Sequence, residues 1–133
     1  MKFEIASTLI EAMQSHARAE HPREACGLLL GAPERVTRTV PTRNVAERPH
    51  RTFEIDPAAL LRIHREARAV GEIVLGWYHS HPNGVGEPSV TDAARAVENG
   101  KLWLIVTVDG VHAWTAGQSG LHNRFLPVAM QAT

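Results

Sequence analysis

Along this chain the spacing of apolar residues switches between a helical and an extended period, and the switches mark out its elements. Thr8-Leu-Ile-Glu11 has the form of a capping box, predicting a helix over Leu9–Ala19. That helix should stop at His21-Pro22, because the residue before proline avoids helical geometry. Glu24-Ala-Cys-Gly-Leu-Leu-Leu-Gly31 is a nearly unbroken apolar run, closed by the Gly31-Ala-Pro33 turn, and predicts a buried strand. Val36–Val40 alternates valine with polar residues, as a half-buried strand does. Arg51–Ile55 is a further short strand candidate. Asp56-Pro57 supplies an N-cap and a first helical residue. Leu60, Ile63, Ala67 and Val70 then recur at helical spacing until Gly71.

Glu72–Tyr78 is apolar between a glycine and His-Ser-His-Pro, which predicts another buried strand. Pro82–Pro88 holds Asn83, Gly84 and Gly86 and is a loop. A helix over Ser89–Asn99 should end at Gly100. Leu102–Val108 and Val111–Thr115 flank Asp109-Gly110, the strongest hairpin signal in the chain, and a last strand is expected near Phe125–Val128. Helices interleaved with strands predict an α/β or α+β fold with a central mixed sheet, in one domain over residues 1–133.

Composition narrows the partners. Lys+Arg and Asp+Glu both number 14, so the net charge is zero and nothing electrostatic favours nucleic acid or an anionic membrane. The single cysteine, Cys26, allows neither an internal disulfide nor a cysteine-based zinc cluster. The N-terminus shows no secretory pattern, and no apolar segment is long enough to span a bilayer, so the expected location is cytoplasmic.

Eight histidines in 133 residues are an oddity, and two of them, His79 and His81, are separated by one residue. At the end of a strand, residues i and i+2 face the same way, so both imidazoles can reach one metal while Ser80 points away. After the loop, Ser89-Val-Thr-Asp92 opens a helix and brings a carboxylate. Ser89-x-x-Asp92 also reads as a plain capping box, a role compatible with ligation because Asp92 has two oxygens. Two histidines and one carboxylate suit zinc and leave a fourth tetrahedral position open, the mark of a catalytic rather than a structural site.

These segments carry a resemblance. Gly76-Trp-Tyr-His-Ser-His-Pro82 followed by Pro88-Ser-Val-Thr-Asp92 resembles the signature of the JAMM (MPN+) metalloprotease family. Pro22-Arg-Glu24-Ala-Cys-Gly-Leu-Leu-Leu-Gly31 is similar to that family's glutamate-bearing strand. The likeness extends from the first helix through the Leu102–Val108 strand. It implies a central mixed sheet flanked by helices, of cytidine-deaminase-like architecture. It further implies zinc held by His79, His81 and Asp92, with Ser89 stabilising the tetrahedral intermediate. Glu24 matches the residue that takes a proton from the attacking water and returns one to the leaving amine.

Other residues invite competing assignments. Glu87 lies in the loop beside the ligands and is the alternative base, though a mobile loop would position it poorly. Cys26, alone in an apolar strand, reads as a small buried hydrophobe rather than a nucleophile. Trp77 and Tyr78 read as packing residues, and His112 and His122 as surface residues. Base deamination is disfavoured, because the Cys-x-x-Cys half of the deaminase pattern does not occur.

The compact length leaves little room for the insertions with which larger family members grip ubiquitin. The chain is similar to the compact prokaryotic branch, which implies a ubiquitin-like or sulfur-carrier protein with an extended C-terminal tail as substrate. A Gly-Gly tail suits a narrow groove, since glycine lets backbone approach closely. A zinc peptidase acting on free peptides and a non-catalytic scaffold domain of the same fold are the two rival readings.

Overall fold

A computed structural model describes residues 2–133. Its elements run β1 (Lys2–Ile5), α1 (Ser7–Glu20), β2 (Cys26–Ala32), β3 (Arg35–Thr42), α2 (Pro57–Val70) and β4 (Ile73–Ser80). They continue with α3 (Val90–Arg95), β5 (Leu102–Thr107), β6 (Gly110–Leu121), β7 (Phe125–Pro127) and β8 (Ala129–Ala132). All the strands join one mixed sheet in the order β7-β6-β5-β4-β2-β3-β1-β8. The predicted central mixed sheet flanked by helices is what the chain forms.

Helices cover both faces, which explains why the central strands read as apolar runs rather than as alternations. On one face, Leu9, Ile10, Met13 and Ala17 of α1 pack over Leu29, Tyr78, Leu104 and Val106. On the other, Ala59, Ile63 and Ala67 of α2 meet Leu28, Leu30 and Val74. Ala93 and Ala96, in and just after α3, pack with Cys26, Phe53 and Trp103. Successive residues of β2 therefore serve opposite cores, the period of two expected of a strand.

Register places the chemistry. β4 lies between β2, to which it is antiparallel with Cys26 opposite His79, and β5, to which it is parallel with His79 opposite Ile105. Continuing the antiparallel register past Cys26 brings Ala25 against Ser80, whose N–H donates to the Ala25 carbonyl at 3.0 Å. The next step sets Glu24 beside His81. A glycine is needed lower in β4, where a Cβ on Gly76 would collide with the carbonyl of Leu102 on β5.

Several boundaries differ from the sequence expectations. Helix α1 starts at Ser7 with Ala6 as N-cap and no side-chain cap, so the Thr8 capping box is not formed. The chain turns straight from β1 into α1, and the Ala6 carbonyl accepts from Leu9 and Ile10 N–H. Helix α2 matches its prediction, with Asp56 accepting from Ala58 N–H and Gly71 left-handed at φ 77. Helix α3 stops at Arg95 instead of Asn99. The chain must there swing back to the start of β5, where Gly100 and Ala116 N–H donate to Ala116 and Lys101 carbonyls.

Residues 51–55 are not a strand. A turn on the Arg48 carbonyl occupies the start, and only an isolated bridge pairs Asn44 with Ile55. The β5–β6 hairpin exists, but Thr107 pairs with Gly110, so Val108 and Asp109 are the loop residues. Strands β1 and β8 were not predicted. Both are four residues long, and β8 is largely exposed, so neither carries a strong apolar pattern. No helix among the described residues is long and apolar enough to cross a membrane.

Candidate metal centre

His79 leaves the end of β4 and His81 follows one residue beyond it, both buried. Ser89 is the N-cap of α3 and Asp92 its third residue. The Nε2 atoms of the two histidines lie 3.0 Å apart, and Asp92 Oδ2 lies 3.2 Å from His79 Nε2 and 3.1 Å from His81 Nε2. Three ligand-type atoms thus form a nearly equilateral triangle. Tetrahedral bonds of about 2.0–2.1 Å place ligand atoms roughly 3.3 Å apart, so the triangle has the dimensions of three corners of a zinc-like site.

The three groups differ in how their protonation bears on ligation. The His81 Nδ1–H donates to the Val85 carbonyl at 2.7 Å, which fixes the tautomer and leaves the Nε2 lone pair facing the cluster. Burial lowers the His79 pKa and outweighs the opposing pull of Asp92, keeping that imidazole neutral. At His81 burial opposes the charge, but Asp92 and the Val85 carbonyl prevail and raise it. At Asp92 burial likewise opposes ionisation. The two imidazoles and the Ser89 N–H overcome it and hold the carboxyl well below the usual carboxylate range.

The capping box around Asp92 is present in full. Ser89 Oγ accepts from Asp92 N–H at 3.0 Å, and Asp92 Oδ2 accepts from Ser89 N–H at 2.9 Å. The same oxygen serves the cap and faces both imidazoles, so capping does not turn it away from them. Because Ser89 Oγ accepts in the cap, its own hydroxyl proton is free to donate elsewhere.

Glu24 precedes β2 and is 4% exposed. A carboxylate oxygen of Glu24 and one nitrogen from each of His79 and His81 lie within 4.8 Å of one another, a group able to hold or face a metal ion. Its Oε1 is buried with no hydrogen-bond partner. Burial pushes the carboxyl up to about 7 from its ordinary 4.5, with Asp92 adding to the rise and His81 and Arg95 opposing it. Asp92 therefore occupies the tight position and Glu24 stands further out, close to neutrality in pKa. Glu87, the alternative base, is exposed and does not join the cluster.

Residues that the sequence reading missed hold these groups in place. Ser80 does point to the face opposite His79, yet its Oγ accepts from Ala25 N–H at 2.7 Å. Asn44, 5% exposed, donates to the Glu24 carbonyl at 2.9 Å and to Thr52 O at 3.1 Å. Its Oδ1 accepts from Ala46 and Glu54 N–H. The Glu24 backbone is thus clamped from both sides. Phe53 stacks on His79 with ring centroids 4.3 Å apart, and Arg95 donates to the Phe53 carbonyl at 2.7 Å.

The 82–88 loop is fastened by Trp114 Nε1–H to Gly86 O at 3.0 Å and by His122 Nε2–H to Pro88 O at 3.1 Å. His122 is exposed as expected. His112 is half-buried, hydrogen-bonded to Thr107 Oγ1, and its ring fills the space a Cβ on Gly86 would need, so it is not a plain surface residue. Burial drives the Cys26 thiol up to about 11, which removes it as a nucleophile at neutral pH. Tyr78 is buried with its hydroxyl against His16 Nδ1 at 2.8 Å, while Trp77 is half-buried beside Phe53, Arg95 and Trp103.

Two recesses open at the centre. One of about 260 Å³ is lined by Glu24, His50, Arg51, His81, Asn83 and Ser89, among others. A groove of about 400 Å³ runs on the other side of His81 and Pro82, against α1.

Comparison with known proteins places the chain in a family. Residues 6–117 match the family described as prokaryotic homologs of the JAB domain. The chain is 34% identical over 126 residues to the desampylase of Haloferax volcanii, covering 88% of this chain and 91% of that protein. It is 34% identical over 110 residues to the CysO-cysteine peptidase of Mycobacterium tuberculosis, covering 81% of this chain and 75% of that one. A solution structure of a Desulfitobacterium hafniense protein superposes with a TM-score of 0.85 at 27% identity, covering 100% of this chain and 93% of that chain. The chain belongs to the prokaryotic JAB-domain family, and it is a hydrolase.

Proposed function

We propose that the protein is a zinc-dependent peptidase that cleaves an amide at or near the C-terminus of a ubiquitin-like or sulfur-carrier protein in the cytoplasm. The observation that carries the reading is the triangle of His79 Nε2, His81 Nε2 and Asp92 Oδ2 at 3.0–3.2 Å, with a near-neutral carboxyl beside it. These three side chains would hold the ion. Such an ion supplies Lewis acidity to the scissile carbonyl and acidifies water.

The chain's own groups do the rest. Glu24, with a pKa near 7, removes a proton from the attacking water and hands it to the departing nitrogen, the double duty for which a near-neutral value is best suited. The free hydroxyl proton of Ser89 donates to the carbonyl oxygen as charge develops there. Burial of the ligands keeps competing water out and strengthens each of these interactions. The names of the relatives, a desampylase and a CysO-cysteine peptidase, support a carrier or modifier protein as substrate.

The test is to incubate the protein with ubiquitin-like sulfur carriers bearing a C-terminal extension and to follow carrier mass. Loss of the extension by wild type, and no loss with Glu24→Ala, is expected. Unchanged mass across several carriers, or faster turnover of free peptides, would count against the substrate. Wild-type rates from Glu24→Ala would overturn the mechanism.

A further inference from the structure

The carbonyl that orients His81 belongs to a loop with few internal holds. Asn83, Gly84, Val85 and Glu87 are all exposed. Gly84 and Gly86 leave its backbone free to take up many conformations. Within the loop, Gly84 N–H donates to the His81 carbonyl and Val85 N–H to Asn83 Oδ1, both at 3.0 Å. Apart from His81 itself, Trp114 is the one side chain among the described residues that hydrogen-bonds to residues 83–87 from outside the loop. Its Nε1–H meets the Gly86 carbonyl at 3.0 Å. That carbonyl lies one peptide unit beyond the Val85 carbonyl, which takes His81 Nδ1–H at 2.7 Å.

A second side chain closes on the same glycine. His112 and Trp114 are two apart on β6 and so share a face. A Cβ on Gly86 would come within 2.6 Å of the His112 ring, and that ring is itself held to Thr107 Oγ1 at 3.1 Å. Gly86 is therefore pinned at its carbonyl by Trp114 and at its α-carbon by His112. The base is firm, because Trp114 sits opposite Trp103 of β5 on one side and Pro127 of β7 on the other.

The pinning matters because a neutral imidazole can carry its proton on either nitrogen. Only the Nδ1–H form of His81 leaves a lone pair on the Nε2 that faces Asp92 and His79. The Val85 carbonyl selects that form for as long as it stays in place. Acceptors behind a ligating histidine set its ring orientation and basicity in this way.

We infer that Trp114 is a positioning residue for the metal centre. By holding the Gly86 carbonyl it keeps the Val85 carbonyl on His81 Nδ1–H, and so keeps the Nε2 lone pair turned into the triangle. The inference rests on the metal reading of the triangle and adds a group outside the ligand segments on which that geometry depends. His112 is the wall that requires glycine at position 86.

Trp114→Phe keeps an aromatic ring and removes the N–H. In metal-free protein with isotope-labelled histidine rings, at about pH 9 where imidazoles are neutral, NMR reads which nitrogen of His81 carries the proton. Wild type should show the Nδ1–H form alone, and the variant a mixture of both. Zinc affinity, read by competition with a chelator, should fall by about 10–100-fold. A variant with wild-type zinc affinity, or one that loses affinity with Nδ1–H still fully populated, would overturn the inference. Gly86→Ala is an independent arm, and it decides the matter should Trp114→Phe not fold. Its Cβ pushes the loop off the His112 ring and should produce the same mixture and the same loss. Adding His112→Ala clears that space and should recover part of both, whereas no recovery would count against the pinning. Where wild type itself takes up no zinc, the metal reading fails alone, and the tautomer comparison still decides whether Trp114 sets His81.

Discussion

Metal-free Glu24→Gln protein is expected to be more stable than wild type at about pH 8, and no more stable at about pH 4. Burial raises the Glu24 carboxyl from its ordinary 4.5 to about 7, so the folded state favours the neutral form. Below the unfolded value both states are protonated and the side chain costs nothing. As pH climbs from about 4.5 to about 7 the unfolded chain ionises freely and the folded one does not, so stability falls. Above pH 7 the penalty is complete. A difference of about 2.5 at 1.36 kcal/mol each amounts to about 3 kcal/mol. Glutamine keeps the shape and never ionises, so the variant avoids this loss. For a chain of this length it corresponds to a rise in Tm of about 10 °C. Thermal and urea unfolding at the two pH values, after chelation and dialysis, measure it. A gap of the same size at both pH values would refute the reasoning, as would a variant less stable than wild type above pH 7. The same substitution should lower turnover by about 10²-fold or more, since an amide cannot carry the proton.

Further predictions follow from single contacts. Ser89→Ala should reduce kcat by about 10²–10³-fold with metal content retained, and should cost about 1 kcal/mol in unfolding free energy through the lost cap. Ser80→Ala leaves Ala25 N–H buried without its acceptor and should cost about 1–3 kcal/mol. Its kcat should fall more than KM rises while metal stays bound, which steady-state kinetics beside metal analysis will show. Phe53→Ala removes the ring stacked on His79 and should destabilise by about 3 kcal/mol, with weaker metal retention on dialysis. His81 is raised above its ordinary 6.5, so protons compete with an ion at its Nε2. Apparent metal affinity, read by competition with a chelator, should therefore weaken as pH falls through that raised value.

The convergence of the three candidate ligands was legible because it is local. His79 and His81 are two apart at the end of a strand, and Ser89, eight residues beyond His81, caps a helix whose first turn carries Asp92, so period and capping together imply convergence. Glu24 was a different matter. Its place beside His81 comes from the β2–β4 antiparallel register, a pairing of distant segments that no local pattern dictates, and only the family resemblance singled it out. Asn44, Ser80 and Phe53 act through hydrogen bonds and stacking across long sequence separations and gave no local signal. Arg51–Ile55 misled because β-prone residues there satisfy their backbone on the Asn44 side chain instead of on a ladder. The last turn of α3 was overestimated because tertiary demand, the return to β5, outweighs a favourable helical composition.

Everything proposed depends on His79, His81 and Asp92 sharing one divalent ion that hydrolysis requires. Metal content per chain and hydrolysis, measured on the same preparations of wild type and folded His79→Ala, test this directly. The account predicts about one equivalent of zinc in wild type and almost none in the variant, with activity lost in step. A folded His79→Ala protein that keeps both its metal and its activity would contradict it.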